Sequence, residues 1–315
     1  MEILFKANRI SRYNMRTLNE NKRILAMMII VFLFIVQNLS DVLLFSKSVN
    51  ISVTPYAFVF MVNDYICQFI IIAGSVVLFS NAPFEDEGHL YMLSRAGRIS
   101  WVFGQILYIF KMSILYMCFL FVATVIPFIG HMRFSTEWGK IWGTLAKTDA
   151  GCQFGLDFDV SEFIVSRYTP MNALIISMLL EWTCIMWIGL LIYFGNKSTN
   201  KYFGTIAGVF FTLLDVCIAN DWMDFMYGFS PVSLAQIKTY SGYVLKYNID
   251  LSYGVKFFVF GIIVLLLLCV LSNYKDKMEK YVYQIKKMTG GKDGTKSNDN
   301  GKKCYKRIRK TSDTE

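Results

Sequence analysis

Long apolar stretches alternate with shorter polar ones along this chain of 315 residues. A helix needs about 20 mainly apolar residues to cross the hydrocarbon core of a bilayer. Six stretches are near or above that length, and each predicts a membrane-spanning helix. The six predicted spans cover residues 24–45, 56–80, 104–130, 171–194, 202–220 and 257–274. The pattern therefore predicts an all-α integral membrane protein with six transmembrane helices.

The basic residues that flank the spans predict their orientation, because Lys and Arg accumulate on the cytoplasmic side of a membrane. Of the 32 Lys and Arg residues, 23 lie in the N-terminal segment, in the turns after spans two and four, and in the C-terminal tail. Both termini are therefore predicted to be cytoplasmic, in a multi-pass protein of the cell membrane. The net charge of +9 then indicates attraction to membrane lipids and not to nucleic acid.

The two terminal segments are predicted to differ in order. In residues 1–23 the basic positions recur three or four residues apart, which predicts an amphipathic helix on the inner leaflet. A disordered basic leader is the alternative. Residues 275–315 are predicted to continue span six as a charged helix to about residue 288, and to be disordered after it.

Two longer segments, residues 131–170 and 221–256, are predicted to lie outside the cell. The first predicts a helix that either lies at the membrane interface or caps the bundle of spans. That helix is indicated by a stripe of apolar residues at Phe134, Trp138, Ile141, Trp142 and Leu145. The second segment is too apolar for an ordinary loop, which predicts a hairpin that is partly re-entrant or packed on the bundle.

Common hydrolytic sites are missing from the sequence. Its two histidines, His89 and His131, are predicted on opposite sides of the membrane. No phosphate-binding loop of the form G-x4-G-K-[ST] is present, so any ATP would have to be hydrolysed by another polypeptide. The sequence therefore predicts a protein that is not itself an enzyme and that holds no cofactor or metal ion.

Four ionisable residues inside the predicted spans are candidates for a translocation path. They are Asp64, Lys111, Glu181 and Asp215. Charges at membrane depth are costly and often belong to an ion or substrate pathway. Lys111 lies near the cytoplasmic end of span three and Glu181 near the middle of span four, so the two would form an ion pair only if the lysine side chain extends toward the midplane. The alternative is a structural role, in which all four residues form salt bridges and hydrogen bonds between helices.

The cytoplasmic segment between spans two and three, residues 84–103, begins FEDEGHLYMLSRAGR. This pattern predicts a short helix on the inner surface, held between two spans. Because such a helix cannot move without moving both spans, it suits the docking of a partner, whereas a rigid turn is the alternative. The residues expected to make the contact are Glu85, Glu87, Gly88, Leu93, Arg95 and Arg98.

This order of acids, glycine, leucine-containing turn, arginine and a glycine at the start of the next span is similar to the coupling-helix segment of permease subunits of type 2 ABC exporters. The wider layout also resembles that family. It has a basic N-terminal helix, six spans, two cytoplasmic termini and an outer hairpin with Ser230 and Pro231 before span six. One departure is Gln105, which stands where the family commonly has lysine.

The resemblance implies a permease dimer, formed with a second copy or a homologous permease, that docks on separate ABC ATP-binding subunits. Those subunits would hold the ATP and Mg, and the six residues of the coupling segment would contact them. Spans two and five would line the path, which would place Asp64 and Asp215 beside an amphipathic substrate such as a peptide, a lipid or a drug. Two alternatives are an ion-coupled secondary transporter or channel, and a non-catalytic membrane assembly subunit.

Overall fold

The computed structural model describes residues 2–18, 21–84, 89–199, 201–241 and 249–289. Among these residues there are helices and connecting segments but no β-strand, which confirms the predicted all-α class. The contacts divide the chain into two units, Met1–Ser272 and Asn273–Glu315. The part of the tail predicted to be disordered, residues 290–315, lies outside the described residues.

The α-helices are numbered in chain order. They are α1 (Glu2–Leu18), α2 (Lys22–Val49), α3 (Ala57–Met61), α4 (Tyr65–Phe79), α5 (His89–Ala96), α6 (Arg98–Val125), α7 (Gly139–Lys147), α8 (Ala150–Gln153), α9 (Glu162–Arg167), α10 (Pro170–Ser198), α11 (Phe203–Ala219), α12 (Pro231–Leu234) and α13 (Leu251–Thr289). Short 3₁₀ turns are present at Ile126–Phe128, Asp224–Phe229 and Ile237–Ser241.

Four helical segments are long and apolar enough to cross a membrane: Lys22–Val49, Arg98–Phe128, Pro170–Ser198 and Leu251–Asn273. They are compatible with a multi-pass membrane protein. α4 and α11 are also apolar, but they have only 15 and 17 residues. Several helices extend beyond the predicted spans. α6, for example, begins at Arg98 and not near residue 104, because its first turns pack on protein and stay helical outside the apolar stretch.

The stretch predicted as the second span, residues 56–80, is not one continuous helix in the structure. α3 ends at Met61 and α4 begins at Tyr65. Between them Asp64 has an extended backbone, and its Oδ1 accepts hydrogen bonds from the backbone N–H groups of Ile66 and Cys67, both at 3.0 Å. Such an N-cap satisfies donors that have no partner inside a helix. A polar break is therefore stable within an otherwise apolar stretch.

The N-terminal segment is helical, as predicted, and one face of α1 packs against α6. The buried positions of this face are Ala7, Ile10, Ser11 and Asn14, at the spacing of one helical stripe. A Cβ atom on Gly104 of α6 would lie 2.8 Å from Cβ of Ile10, so only glycine permits this close approach. The buried face of α1 therefore contacts protein.

The first long outer segment contains a shorter helix than its apolar stripe predicts. α7 begins at Gly139, whose φ of +77° lies outside the right-handed helical region, so Phe134 and Trp138 precede the helix. Trp138 donates from Nε1 to the carbonyl oxygen of Tyr168 at 2.9 Å, and Trp142 of α7 donates to that of Thr54 at 3.0 Å. The bond of Trp142 joins the segment to the connection between α2 and α3, which favours the alternative in which the segment caps the bundle.

The described part of the second segment predicted to lie outside the cell packs into the bundle. We call residues 224–241 the outer hairpin; it contains α12 and the 3₁₀ turns on either side of it. Its central residues, 230–237, are all buried. Backbone at such depth is tolerated where protein covers it, and here α4, α10 and α11 contact the outer hairpin. This arrangement agrees with the prediction of a hairpin packed on the bundle.

Candidate functional site

Buried polar side chains from α10, α11, the outer hairpin and the region around the start of α4 meet inside the bundle. We call this group the polar cluster, and each member is at most 4% exposed. Polar groups buried to this extent are costly unless they are hydrogen-bonded. Their pairing therefore decides what the site can do. The members are Asn63, Asp64, Gln68, Ser177, Glu181, Asp215, Ser233 and Gln236.

Asp215 of α11 holds the outer hairpin through both of its carboxylate oxygens. Oδ1 accepts a hydrogen bond from the hydroxyl of Ser233 at 2.6 Å, and Oδ2 accepts one from Nε2 of Gln236 at 2.9 Å. Two donors aimed at the two oxygens match an ionised carboxylate, which only accepts hydrogen bonds. Asp215 is thus satisfied as a charged group.

Asn63 joins the break between α3 and α4 to two other elements. Its Nδ2 lies 3.4 Å from Oγ of Ser177 on α10, and its Oδ1 accepts a hydrogen bond at 3.0 Å from the backbone N–H of Lys238 in the outer hairpin. The side-chain amide therefore links three elements at the point where the helix is interrupted. Asp64 follows directly, and its second oxygen, Oδ2, lies 3.5 Å from the backbone N of Asp159.

Glu181 of α10 is paired differently from Asp215. Its Oε2 accepts a hydrogen bond from Nε2 of Gln68 on α4 at 2.7 Å. Its other oxygen, Oε1, has no hydrogen-bond partner among the described residues, and the same is true of Oε1 of Gln68. Both side chains are 0% exposed. The contact between α4 and α10 therefore leaves two buried oxygens unsatisfied.

Lys111 does not belong to the polar cluster, and the predicted ion pair between Lys111 and Glu181 is not formed. Nζ of Lys111 donates to Oδ1 of Asn8 on α1 at 2.7 Å. The two residues lie on different sides of the bundle, because Lys111 faces α1 whereas Glu181 faces α4. The structure thus brings together three of the four predicted intramembrane residues and places the fourth at the contact between α1 and α6.

The predicted coupling segment is described only in part. Glu85, Glu87 and Gly88 lie outside the described residues. A short helix, α5, is present where one is predicted, and Leu93 on it packs on the apolar contact between α1 and α6. The remaining residues of the segment lie as follows: Arg95 is exposed on α5, Gly97 separates the helices at a φ of +81°, and Arg98 begins α6.

Gln105 is the centre of a second polar contact, which ties α1 to the chain before α5. It is 0% exposed, and its Oε1 accepts hydrogen bonds from Nδ2 of Asn14 at 3.2 Å and from the backbone N–H of Phe84 at 3.3 Å. Its Nε2 lies 3.5 Å from the carbonyl oxygen of Phe84. The glutamine that departs from the family pattern therefore joins α1, α6 and the start of the coupling segment.

The sequence-based selection missed the uncharged members of both contacts. Asn63, Gln68 and Ser177 lie within apolar stretches, as does Gln105. A carboxamide at membrane depth needs partners almost as much as a charge does. Amide side chains inside predicted spans therefore indicate buried polar contacts that the ionisable residues alone do not reveal.

Substitutions of Asp64 separate the stabilisation from its N-cap hydrogen bonds from the stabilisation due to its negative charge. Asp64→Ala removes the acceptor for two backbone donors and is expected to destabilise the protein by about 0.5–2 kcal/mol, whereas Asp64→Asn keeps a side-chain oxygen and costs much less. Thermal unfolding of the full chain in detergent measures the difference. Because both variants lack the charge, equal destabilisation by the two would mean that the charge matters and the cap does not.

Comparisons with protein-family models, with curated proteins and with solved structures found no match for this chain. The resemblance to type 2 ABC permeases therefore stays a prediction. No group of three or more His, Cys, Asp and Glu side chains within the described part of the chain is placed to hold a metal ion.

Proposed function

We propose that the chain is the membrane-spanning permease subunit of an ATP-binding cassette exporter in the cell membrane. In this proposal it has six spans, with α4 and α11 as the two short ones, and both termini are cytoplasmic. It moves an amphipathic substrate (a peptide, a lipid or a drug) with ATP that a separate subunit hydrolyses. The chain works with a second copy or a homologous permease and holds no ATP itself.

The observation that carries this proposal is the joint formed by α1, α5 and α6. Leu93 of α5 packs on Ile10 and Trp101, and Gln105 bonds both Asn14 of α1 and Phe84. A force applied to α5 is therefore transmitted into α6, which continues as an apolar helix of membrane-spanning length. This is the mechanical arrangement that a subunit driven by a cytoplasmic ATPase requires.

Co-purification tests the proposal. The tagged full chain, isolated from its own cells in mild detergent, is expected to bring with it a subunit whose sequence contains the G-x4-G-K-[ST] loop, and the complex is expected to hydrolyse ATP. Recovery of the chain without any nucleotide-binding subunit, together with substrate flux driven by an ion gradient in vesicles that hold this chain alone, would contradict it.

Charge reversal on α5 tests the docking surface. Arg95→Glu is expected to reduce the amount of co-purified ATP-binding subunit about tenfold, since a loss of about 1.4 kcal/mol in an interface changes affinity by that factor. Arg133→Glu is the matched control, because Arg133 is exposed and is predicted on the opposite side of the membrane. Equal retention by the two variants, with both inserted normally, would place the docking surface elsewhere.

A second candidate function is favoured by the polar cluster, which is an unusual concentration of buried polar groups for a bundle held by apolar packing. An ion-coupled transporter or channel would use such a cluster as part of its path. Flux that depends on an ion gradient and is unaffected by loss of ATP would support this function over the first.

A further inference from the structure

The contact between Gln68 and Glu181 has one donor group, the amide nitrogen of Gln68. It has two acceptor groups, the carboxylate of Glu181 and the carboxamide oxygen of Gln68. An ionised carboxylate only accepts hydrogen bonds, and so does the oxygen of a carboxamide. The single bond from Nε2 of Gln68 to Oε2 of Glu181 leaves Oε1 of each residue without a donor among the described residues. Each unsatisfied buried acceptor destabilises the structure. An ionised Glu181 therefore fits this contact poorly.

A protonated carboxyl group supplies the donor that this contact lacks. It offers one O–H donor and one acceptor, and a carboxamide likewise offers an N–H donor and an acceptor. The two groups can form a pair of reciprocal hydrogen bonds. One of these, from Gln68 to Glu181, is already present at 2.7 Å. The second bond would give a partner to each of the two oxygens that now have none.

The charges around Glu181 also favour its neutral form. The titratable groups that interact electrostatically with Glu181 are Asp215 of α11, Tyr116 of α6 and Cys184 of α10 itself, and none of them carries a positive charge. Of the titratable residues on the other elements packed against α10, Lys238 of the outer hairpin interacts with Asp215, Tyr240 of the outer hairpin interacts with Cys184, and Cys67 of α4 interacts with Asp64. α3 and α12, which also pack on α10, carry no titratable side chain.

Asp215 and Glu181 are close enough to interact electrostatically, and they differ in their donors. Asp215 receives two hydrogen bonds, whereas Glu181 receives one. Where two carboxyl groups share a buried region, the proton binds to the group whose charged form has fewer donors. A single proton is therefore placed on Glu181 and not on Asp215.

We propose that Gln68 and Glu181 form a buried proton-binding site, in which a proton taken up from solvent is held on Oε1 of Glu181 and donated to Oε1 of Gln68. The bound proton closes the contact between α4 and α10. Its release leaves an uncompensated carboxylate and two buried acceptors without donors, which favours separation of the two helices. The site is thus a proton-dependent joint between two spans. This inference does not depend on the identity of a partner ATPase.

Infrared spectroscopy of the detergent-solubilised full chain tests for the proton directly. At neutral pH the wild-type protein is expected to show the carbonyl stretch of a protonated carboxyl group, and Glu181→Gln is expected to lose it. Asp215→Asn is the matched control and is expected to keep the band, because Asp215 is satisfied as a carboxylate. A band that persists in Glu181→Gln, or that is lost in Asp215→Asn, overturns the assignment.

Thermal unfolding provides a second, independent measurement. Glu181→Gln reproduces the donor and acceptor pattern of the protonated group, so its unfolding temperature is expected to match that of the wild type at neutral pH, while Glu181→Ala unfolds at a lower temperature. The folded wild type holds a proton that the unfolded chain releases, so its stability is expected to fall as the pH is raised. Glu181→Gln should lack that part of the decline. If Glu181→Gln is as unstable as Glu181→Ala, or does not fold, the proposal is wrong.

Discussion

Gly204→Ala is expected to destabilise the protein by about 3 kcal/mol, near the upper end of the usual range for overpacked sites. Gly204 lies in the first turn of α11, and a Cβ atom on it would collide with the carbonyl oxygen of Ile192 in α10. The two helices meet backbone to backbone here, since a Cβ on Gly195 would in turn collide with the backbone of Gly204. Backbone atoms cannot rotate away as a side chain can, so α11 would have to shift.

This prediction opposes the intrinsic preference of a helix, which favours alanine over glycine by about 1 kcal/mol. The steric effect is expected to dominate because close contact through small residues stabilises helix pairs in membranes, where lipid removes the hydrophobic driving force. Gly204 and Gly208 are two such small residues, four positions apart on α11.

Gly143→Ala is the matched control for this substitution. Gly143 is within α7, and a Cβ atom there would have no neighbour within 4 Å. Alanine at this position is expected to be neutral or to stabilise the protein by about 0.5–1 kcal/mol. Unfolding of both variants in detergent, followed by heat or by a denaturing detergent, gives the comparison. Similar stabilities for the two variants would mean that α10 and α11 are not in close contact at Gly204.

Gln105→Leu is expected to release α1 from α6. Leucine has a similar size but no acceptor, so Nδ2 of Asn14 and the backbone N–H of Phe84 both lose the bond they make to Oε1 of Gln105. Loss of a hydrogen bond by a buried donor costs about 1–3 kcal/mol, and the N–H of Phe84 is only half-buried, so the total is expected to be about 2–4 kcal/mol. The loss falls on a single contact, so local undocking of α1 is expected before global unfolding.

Limited trypsin digestion measures this undocking, because α1 carries basic residues along its exposed face. Cleavage after Arg9 and Arg12 is expected to accelerate at least about tenfold in Gln105→Leu, since each 1.4 kcal/mol in the opening equilibrium is a factor of ten. Gln37→Leu is the control, because Gln37 is exposed on α2 and only its backbone carbonyl, which the substitution keeps, accepts a hydrogen bond from Ser40. Equal cleavage of the two variants would show that Gln105 does not hold α1.

Much of the helical layout was predictable because it depends on local pattern. The positions of α2, α6, α10, α11 and α13 follow from apolar stretches near the length that a bilayer requires. The helix at residues 2–18 follows from three- and four-residue spacing, and the short helix α5 from a leucine-containing turn between polar boundaries. Each of these signals is contained within a few turns of chain.

The break in the second predicted span was not predictable in the same way. Asn63 and Asp64 are two adjacent polar residues in a long stretch that is mainly apolar, and hydropathy averages over them. Their effect depends on partners far away along the chain: Ser177 and Lys238 contact Asn63, and Asp159 approaches Asp64. A break is stable only where these groups satisfy the polar atoms, and that condition belongs to the folded bundle.

Pairing of the charged residues was likewise decided by the tertiary structure alone. From the sequence, Lys111 could pair with Glu181 only by extending toward the midplane, and depth does not specify the direction in which a side chain faces. Helix rotation directs Lys111 to Asn8 and Glu181 to Gln68. The sequence by itself thus determined which segments are helical and apolar, since those properties are local. Only the tertiary structure decided which buried polar groups meet, because hydrogen bonding between distant segments depends on how the helices pack.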